Sequence, residues 1–142
     1  MLTTHDKGDI SVLKIRTRLR ELGHIVLIPD GENHRFDLVF ENDKRTFKKV
    51  QCKTGKYHKD KGVIIFPTAS TSWDNGQQKK SKRVFYDKKD VDYFAVYCFE
   101  LKTIYLIPFK KATTKGGSMY LRVDKTKNGQ NKKINWAKSF EI

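Results

Sequence analysis

The sequence predicts an α/β fold, with one leading helix packed on a β-sheet that the rest of the chain builds strand by strand. Two observations predict it. Val12, Ile15, Leu19 and Leu22 recur at spacings of three, four and three, the period of an amphipathic helix. From His24 onward the apolar residues fall into short runs bounded by turn residues, as strands do. The order is therefore one helix, three strands, then further strands. At 142 residues the chain is long enough for a real core and reads as a single domain over 1–142, with no internal repeat and no Pro/Gly-rich linker.

Each element has its own signal. The helix is expected over residues 7–22, with Asp6 as its N-cap and Gly23 at its stop. His24 to Ile28 reads as a short strand ended by Pro29. Arg35 to Phe40 and Phe47 to Lys53 follow as two strands, and Val63 to Phe66 as another. Residues 67–90 are polar and poorly periodic, with Trp73 as the large apolar anchor before Val84-Phe85-Tyr86. Val91 to Phe99 and Thr103 to Ile107 form a hairpin across Glu100-Leu101-Lys102, ended by Pro108. Ser118 to Val123 is strand-like, and Ile134-Asn135-Trp136 with Phe140 docks the C-terminus on the core.

The first of these hairpins carries the chemistry. Residues two apart on a strand share a face. Burying Phe36, Leu38 and Phe40 with Val50 and Cys52 pairs Phe36 with Val50 and Asp37 with Lys49, and leaves Glu41 to Arg45 as the loop. Asp37, Gln51 and Lys53 then share the other face. A carboxylate, an amide oxygen and an ammonium together can hold a divalent cation and a phosphodiester; a solvated polar face is the bland alternative. Phosphodiester hydrolysis needs an activated water and neutralised phosphoryl oxygens, which Mg²⁺ or Mn²⁺ on carboxylate and water ligands provides. Asp37 is the expected principal ligand, with the Gln51 side-chain oxygen and the Cys52 carbonyl as neutral ligands. Lys53 is expected to stabilise the developing negative charge or to orient the water. One carboxylate is thin for Mg²⁺. Asp9, in the first helical turn beside Gly8, is the best second candidate, set against a plain helix-end role favoured by the macrodipole.

Charge points to the partner. Thirty Lys plus Arg against sixteen Asp plus Glu leave net +14 and a pI near 9.8, which favours a polyanion. The excess is clustered: Lys110 to Lys138 holds nine basic residues against Asp124, and Lys79-Lys80-Ser81-Lys82-Arg83 is a second run. An anionic membrane is the weaker option, because no strongly basic amphipathic helix is evident. Candidate groups for contacting that polyanion are Arg35, Lys56, Lys59, Lys61, Ser70, Thr71, Ser72, Lys79, Lys80, Lys82 and Arg83, with 67–83 as a groove-reading insert or, nearly as well, a disordered surface loop. Cys52 and Cys98 read as small core residues rather than a disulfide framework, and scattered His5, His24, His34 and His58 make a structural zinc site improbable. No signal peptide or membrane span is read, so a reducing cytoplasm is the default expectation.

At these residues the chain resembles the PD-(D/E)XK nuclease superfamily: a leading helix with an acid in its first turn, then Asp, then [Asp/Glu/Gln]-x-Lys on the next strand. The literal Pro29-Asp30 ends the first strand and is set aside; Asp37 is the aspartate that aligns. The longer string is similar to the small bacterial group I intron homing endonucleases of that fold. Lys7-Gly8-Asp9-Ile10-Ser11, Arg35-Phe36-Asp37-Leu38-Val39, Val50-Gln51-Cys52-Lys53-Thr54-Gly55, Asp92-Tyr93-Phe94-Ala95-Val96-Tyr97 and Tyr105-Leu106-Ile107-Pro108 carry the likeness, with Ile134-Asn135-Trp136-Ala137 near the end. The resemblance implies a restriction-endonuclease-like mixed sheet with added C-terminal strands, and metal and catalytic roles for Asp9, Asp37, Gln51 and Lys53. Gln51 departs from the superfamily's acid but matches that branch; Asp9 stands where many relatives carry Glu. The resemblance also implies cleavage of double-stranded DNA by a homo-oligomer, a dimer or tetramer, with no small-molecule cofactor beyond the metal. A structure-specific nuclease such as a Holliday-junction resolvase, and a non-catalytic nucleic-acid-binding module, are the alternatives.

Overall fold

A capping box sets where the helix begins. Thr3, not Asp6, is the N-cap of α1 (Thr4–Glu21): the Asp6 N–H donates to Thr3 Oγ1 at 3.1 Å, and Asp6 Oδ2 accepts from the Thr3 N–H at 2.7 Å. The helix therefore starts three residues before the expected start at Lys7. Gly23, at φ +89°, ends it as expected. Ser11, Ile15 and Leu19, four residues apart, form its buried stripe. The computed structural model describes residues 1–73 and 81–142, with side chains for all of these except 72, 73 and 81.

Nine strands follow among the described residues: β1 (Ile25–Leu27), β2 (Leu38–Glu41), β3 (Phe47–His58), β4 (Val63–Pro67), β5 (Ala69–Trp73), β6 (Ser81–Phe85), β7 (Tyr93–Cys98), β8 (Thr103–Pro108) and β9 (Ser118–Arg122). β3 is the hub. Its first residues pair antiparallel with β2, its middle pairs parallel with β7, and its far end pairs antiparallel with β4, which carries β9. β1 and β8 are added outside β2 and β7. The result is a mixed seven-stranded sheet behind one helix, as the sequence predicts, with β5 and β6 forming a separate two-stranded arm.

The β2–β3 register differs from the expected one. Leu38 opposes Val50 and Val39 opposes Lys49, so the pairing is shifted by two residues and the loop is Asn42 to Thr46. A two-residue shift preserves which side chains share a face. Phe36 does not stay on the face of Leu38 and Phe40; it precedes the strand and packs with the opposite core. The segment 67–90, read as irregular, holds the β5–β6 arm. Its polar strands, Ala-Ser-Thr-Ser-Trp and Ser-Lys-Arg-Val-Phe, lack the apolar alternation that betrays a half-buried strand.

The sheet has a core on each face. Toward α1 lie Ile15, Leu19, Leu38, Phe40, Val50, Cys52, Ala95 and Tyr97. On the other side Ile64, Phe66, Tyr86, Phe94, Val96, Ile107 and Leu121 form the larger cluster, and Phe140 and Ala137 dock the tail there. β7, buried on both faces, is correspondingly apolar throughout. Gly55 on β3 is needed for this packing: a Cβ there would stand 2.7 Å from Ile64 Cγ2 and 2.8 Å from Val96 Cγ1. Cys52 and Cys98 are free and buried, in keeping with core roles. No described helix is long and apolar enough to cross a membrane.

Candidate active site

The site forms where β2 leaves β3. The last rung is the Asp37 N–H donating to the Val50 carbonyl, at 2.9 Å. One step further, where another strand residue would be needed, Asp37 Oδ2 accepts the Cys52 N–H at 2.8 Å. The carboxylate thus takes over a backbone rung, and that bond fixes its direction. Gln51 and Lys53 flank Cys52 and project to the face opposite the Cys52 thiol, which is buried toward α1. The face is not an open polar surface, as a simple hairpin would leave it. The segment after β6 lies over it, and Lys53 Nζ donates to Tyr86 Oη at 3.2 Å, with Tyr86 itself buried.

Burial moves both charges toward neutrality. Desolvation raises the Asp37 carboxyl above the ordinary carboxylate value, only partly offset by the Cys52 N–H and by the positive Lys53. Desolvation lowers the Lys53 ammonium to about 8, with Arg35 pushing it further down and Asp37 holding it up. A displaced acid and a displaced base on one face make it a candidate functional site. Gln51 adds a third sign: its Oε1 is buried and has no hydrogen-bond partner among the described residues. An unmet buried acceptor costs about 1–3 kcal/mol, which a ligand would recover.

These donors suit a hard divalent cation, because a carboxylate oxygen and an amide oxygen are the ligands Mg²⁺ takes alongside waters. Among the described residues no three His, Cys, Asp or Glu side chains gather as a metal cluster. Asp9 is placed differently. Its side chain is 70% exposed and pairs with His5 at 3.2 Å on the outer side of α1. The helix touches β3 instead through Ser11, whose Oγ lies 2.7 Å from Thr54 Oγ1.

The combination of a carboxylate just before one strand, a Gln-x-Lys on the next and a helix packed behind them invites comparison with known nucleases. A family model described as PD-(D/E)XK endonuclease matches residues 2–142. The chain belongs to the PD-(D/E)XK endonuclease family. A solved structure of similar fold is that of a bacterial homing endonuclease, I-Ssp6803I, with TM-score 0.78 and 23% identity over 99% of this chain and 89% of that one. No curated protein matches the chain in sequence. In this PD-(D/E)XK endonuclease, the face described above brings Asp37, Gln51 and Lys53 together around the Cys52 N–H.

The expected DNA-contacting groups divide. Lys56, Lys59, Lys61, Thr71, Lys82 and Arg83 are exposed, although Arg83 Nη1 donates to the Gly116 carbonyl at 2.7 Å. Lys79 and Lys80 lie outside the described residues, as does the side chain of Ser72. Arg35 and Ser70 depart from that expectation. Arg35 Nη1 donates to Ser70 Oγ and Nη2 to the Phe85 carbonyl, each at 2.8 Å, while Nε lies 3.5 Å from Asp90 Oδ2. Every guanidinium nitrogen is engaged within the protein, so Arg35 braces the arm rather than presenting itself to a partner. Ser70 Oγ also donates onward to the Val84 carbonyl at 3.3 Å. Sequence reasoning missed Tyr86, Asp90 and the Ser11–Thr54 contact. Tyr86 sits in an apolar triplet and gives no sequence signal of a polar task.

Proposed function

We propose that this endonuclease hydrolyses phosphodiester bonds in double-stranded DNA in a Mg²⁺-dependent reaction, at specific sites, in the manner of a homing enzyme. The observation that carries the reading is the Asp37 carboxylate, the Gln51 Oε1 that has no partner among the described residues, and the Lys53 ammonium on one face of one β-ribbon. Asp37 and Gln51 would hold the ion, and the Cys52 carbonyl would be the added neutral ligand. When bound, the cation supplies charge neutralisation and an acidified water. Asp37 is kept in direction by its Cys52 N–H bond, so its free lone pairs are preorganised. Lys53 brings a positive charge to the developing phosphoryl negative charge in a partly dehydrated setting, where it acts more strongly than in water. Asp9, exposed and paired with His5, takes an outer, water-separated role in this reading.

The net charge of +14 supports duplex DNA as the substrate. Exposed Ile25 and Leu27 on the edge strand β1, with Leu22 at the end of α1 and Ile28 just past the strand, support a homo-oligomer, since an apolar sheet edge left in water invites pairing. The test is incubation with a randomised duplex library and Mg²⁺, followed by sequencing of the ends. The parent is expected to produce discrete junctions, while Asp37→Asn and Lys53→Ala produce them at a strongly reduced but measurable rate. Unchanged cleavage in both variants would remove the assignment from this face. Preferential cutting of four-way junctions over linear duplex would redirect it to a junction resolvase.

A further inference from the structure

Two cations share one aromatic ring beside the reacting face. The Arg35 guanidinium carbon lies 4.0 Å from the centroid of Tyr86, and Lys53 Nζ lies 4.9 Å from the same centroid. Lys53 also donates to the Tyr86 hydroxyl at 3.2 Å. Tyr86 is itself held: it is 6% exposed and meets Phe94 edge-on at 5.4 Å, with an 84° angle between rings. A flexible lysine stem has several rotamers to choose from, and a buried ring that offers both a π-face and a hydroxyl oxygen selects one. Arg35 meanwhile reaches both strands of the arm, through Ser70 on β5 and the Phe85 carbonyl at the end of β6. Tyr86 is the next residue in the chain.

We propose that Tyr86 is a positioning residue for Lys53, and that through Arg35 it joins the root of the β5–β6 arm to the reacting face. The proposal rests on the nuclease reading of that face and adds to it a residue and a connection. Lys53 approaches the phosphate from a fixed direction because its ammonium is anchored on Tyr86. Movement of the arm root shifts that anchor, since Arg35 and Tyr86 move with β5 and β6. A contact made by DNA on the exposed arm, where Thr71 and Lys82 lie, is thereby felt at Lys53.

The experiment is single-turnover cleavage of the duplex selected from the random library, using the full chain and Mg²⁺. The variants are Tyr86→Phe, Arg35→Gln and Lys53→Ala, and each of the first two combined with Lys53→Ala. Tyr86→Phe keeps the ring and removes the hydroxyl. It is expected to lower the saturated rate about tenfold, a misplacement effect, with half-saturating concentration, melting temperature and metal-free DNA affinity essentially unchanged. Arg35→Gln retains amide hydrogen bonding toward Ser70 and is expected to lower the same rate several-fold. In the Lys53→Ala background both changes should be nearly silent, because residues acting through one group are non-additive. A parental rate for Tyr86→Phe, or an equal loss in both backgrounds, overturns the role of Tyr86. An equal loss from Arg35→Gln in both backgrounds overturns the connection to the arm. If Lys53→Ala itself cleaves at the parental rate, the nuclease reading fails and this one with it. Loss in Lys53→Ala alongside a silent Tyr86→Phe overturns the positioning role alone.

Discussion

Asp37 and Lys53 are held in a place that disfavours their charges. Because burial raises Asp37, the folded state keeps its proton to higher pH than the unfolded chain, so its carboxylate is a net cost once ionised. Because burial lowers Lys53 to about 8, its charge is carried at full cost below that pH. The cost is relieved as pH rises from about 8 toward the ordinary lysine value of 10.5. Near pH 7 both charges therefore weigh against folding. Removing one also strips the other of its counter-charge, so the pair is best removed together. We predict that Asp37→Asn with Lys53→Met is more stable than the parent at pH 7, by about 1–3 kcal/mol in urea denaturation. The gap should narrow between pH 8 and 10, and a less stable double variant would contradict the desolvation argument. We also predict that Asp37→Asn alone binds DNA without metal at least as tightly as the parent, because it removes a negative charge near phosphate. A weakened gel shift would speak against that placement.

At the scale of elements, the long strand β3 organises everything near the site. It supplies Gln51 and Lys53 on one face and Val50 and Cys52 on the other. Gly55 marks how close its neighbours are. Gly55→Ala would force a methyl into the Ile64 and Val96 side chains. It is expected to destabilise by about 1–3 kcal/mol, as overpacking does, with a matching fall in the urea midpoint. Stability equal to the parent would mean that β3 and β7 can spread. The face assignment along β2 and β3 was legible in the sequence because strand alternation survives a shift of two residues. The exact pairing was not, since nothing local prefers Leu38 over Phe36 opposite Val50. The arm was not legible either: its strands are polar, and one of its chief braces, Arg35, lies 35 residues from Ser70 and 50 from Phe85.

For the whole molecule, charge and bracing separate into different measurements. Lys56 and Lys82 are exposed, whereas Arg35 is consumed internally. Replacing Lys56 and Lys82 with alanine should weaken duplex binding. It should also flatten the slope of log affinity against log salt by about 2, since each lysine neutralises one phosphate. Arg35→Ala should instead lower the melting temperature and leave that slope unchanged. A slope change from Arg35→Ala comparable to that of the lysine pair would restore it as a DNA-binding group.

The sequence by itself determined the fold class, the polar triad of Asp37, Gln51 and Lys53, and the basic character that calls for a polyanion. Those follow from period and composition, which are properties of the chain read in order. Only the tertiary structure decided that Lys53 is held on Tyr86 rather than in open water, that Arg35 is a brace, and that Asp9 faces outward with His5. Each of those depends on which distant segments share a volume, and burial, not residue identity, is what shifts a lysine to about 8 or leaves a glutamine oxygen without a partner.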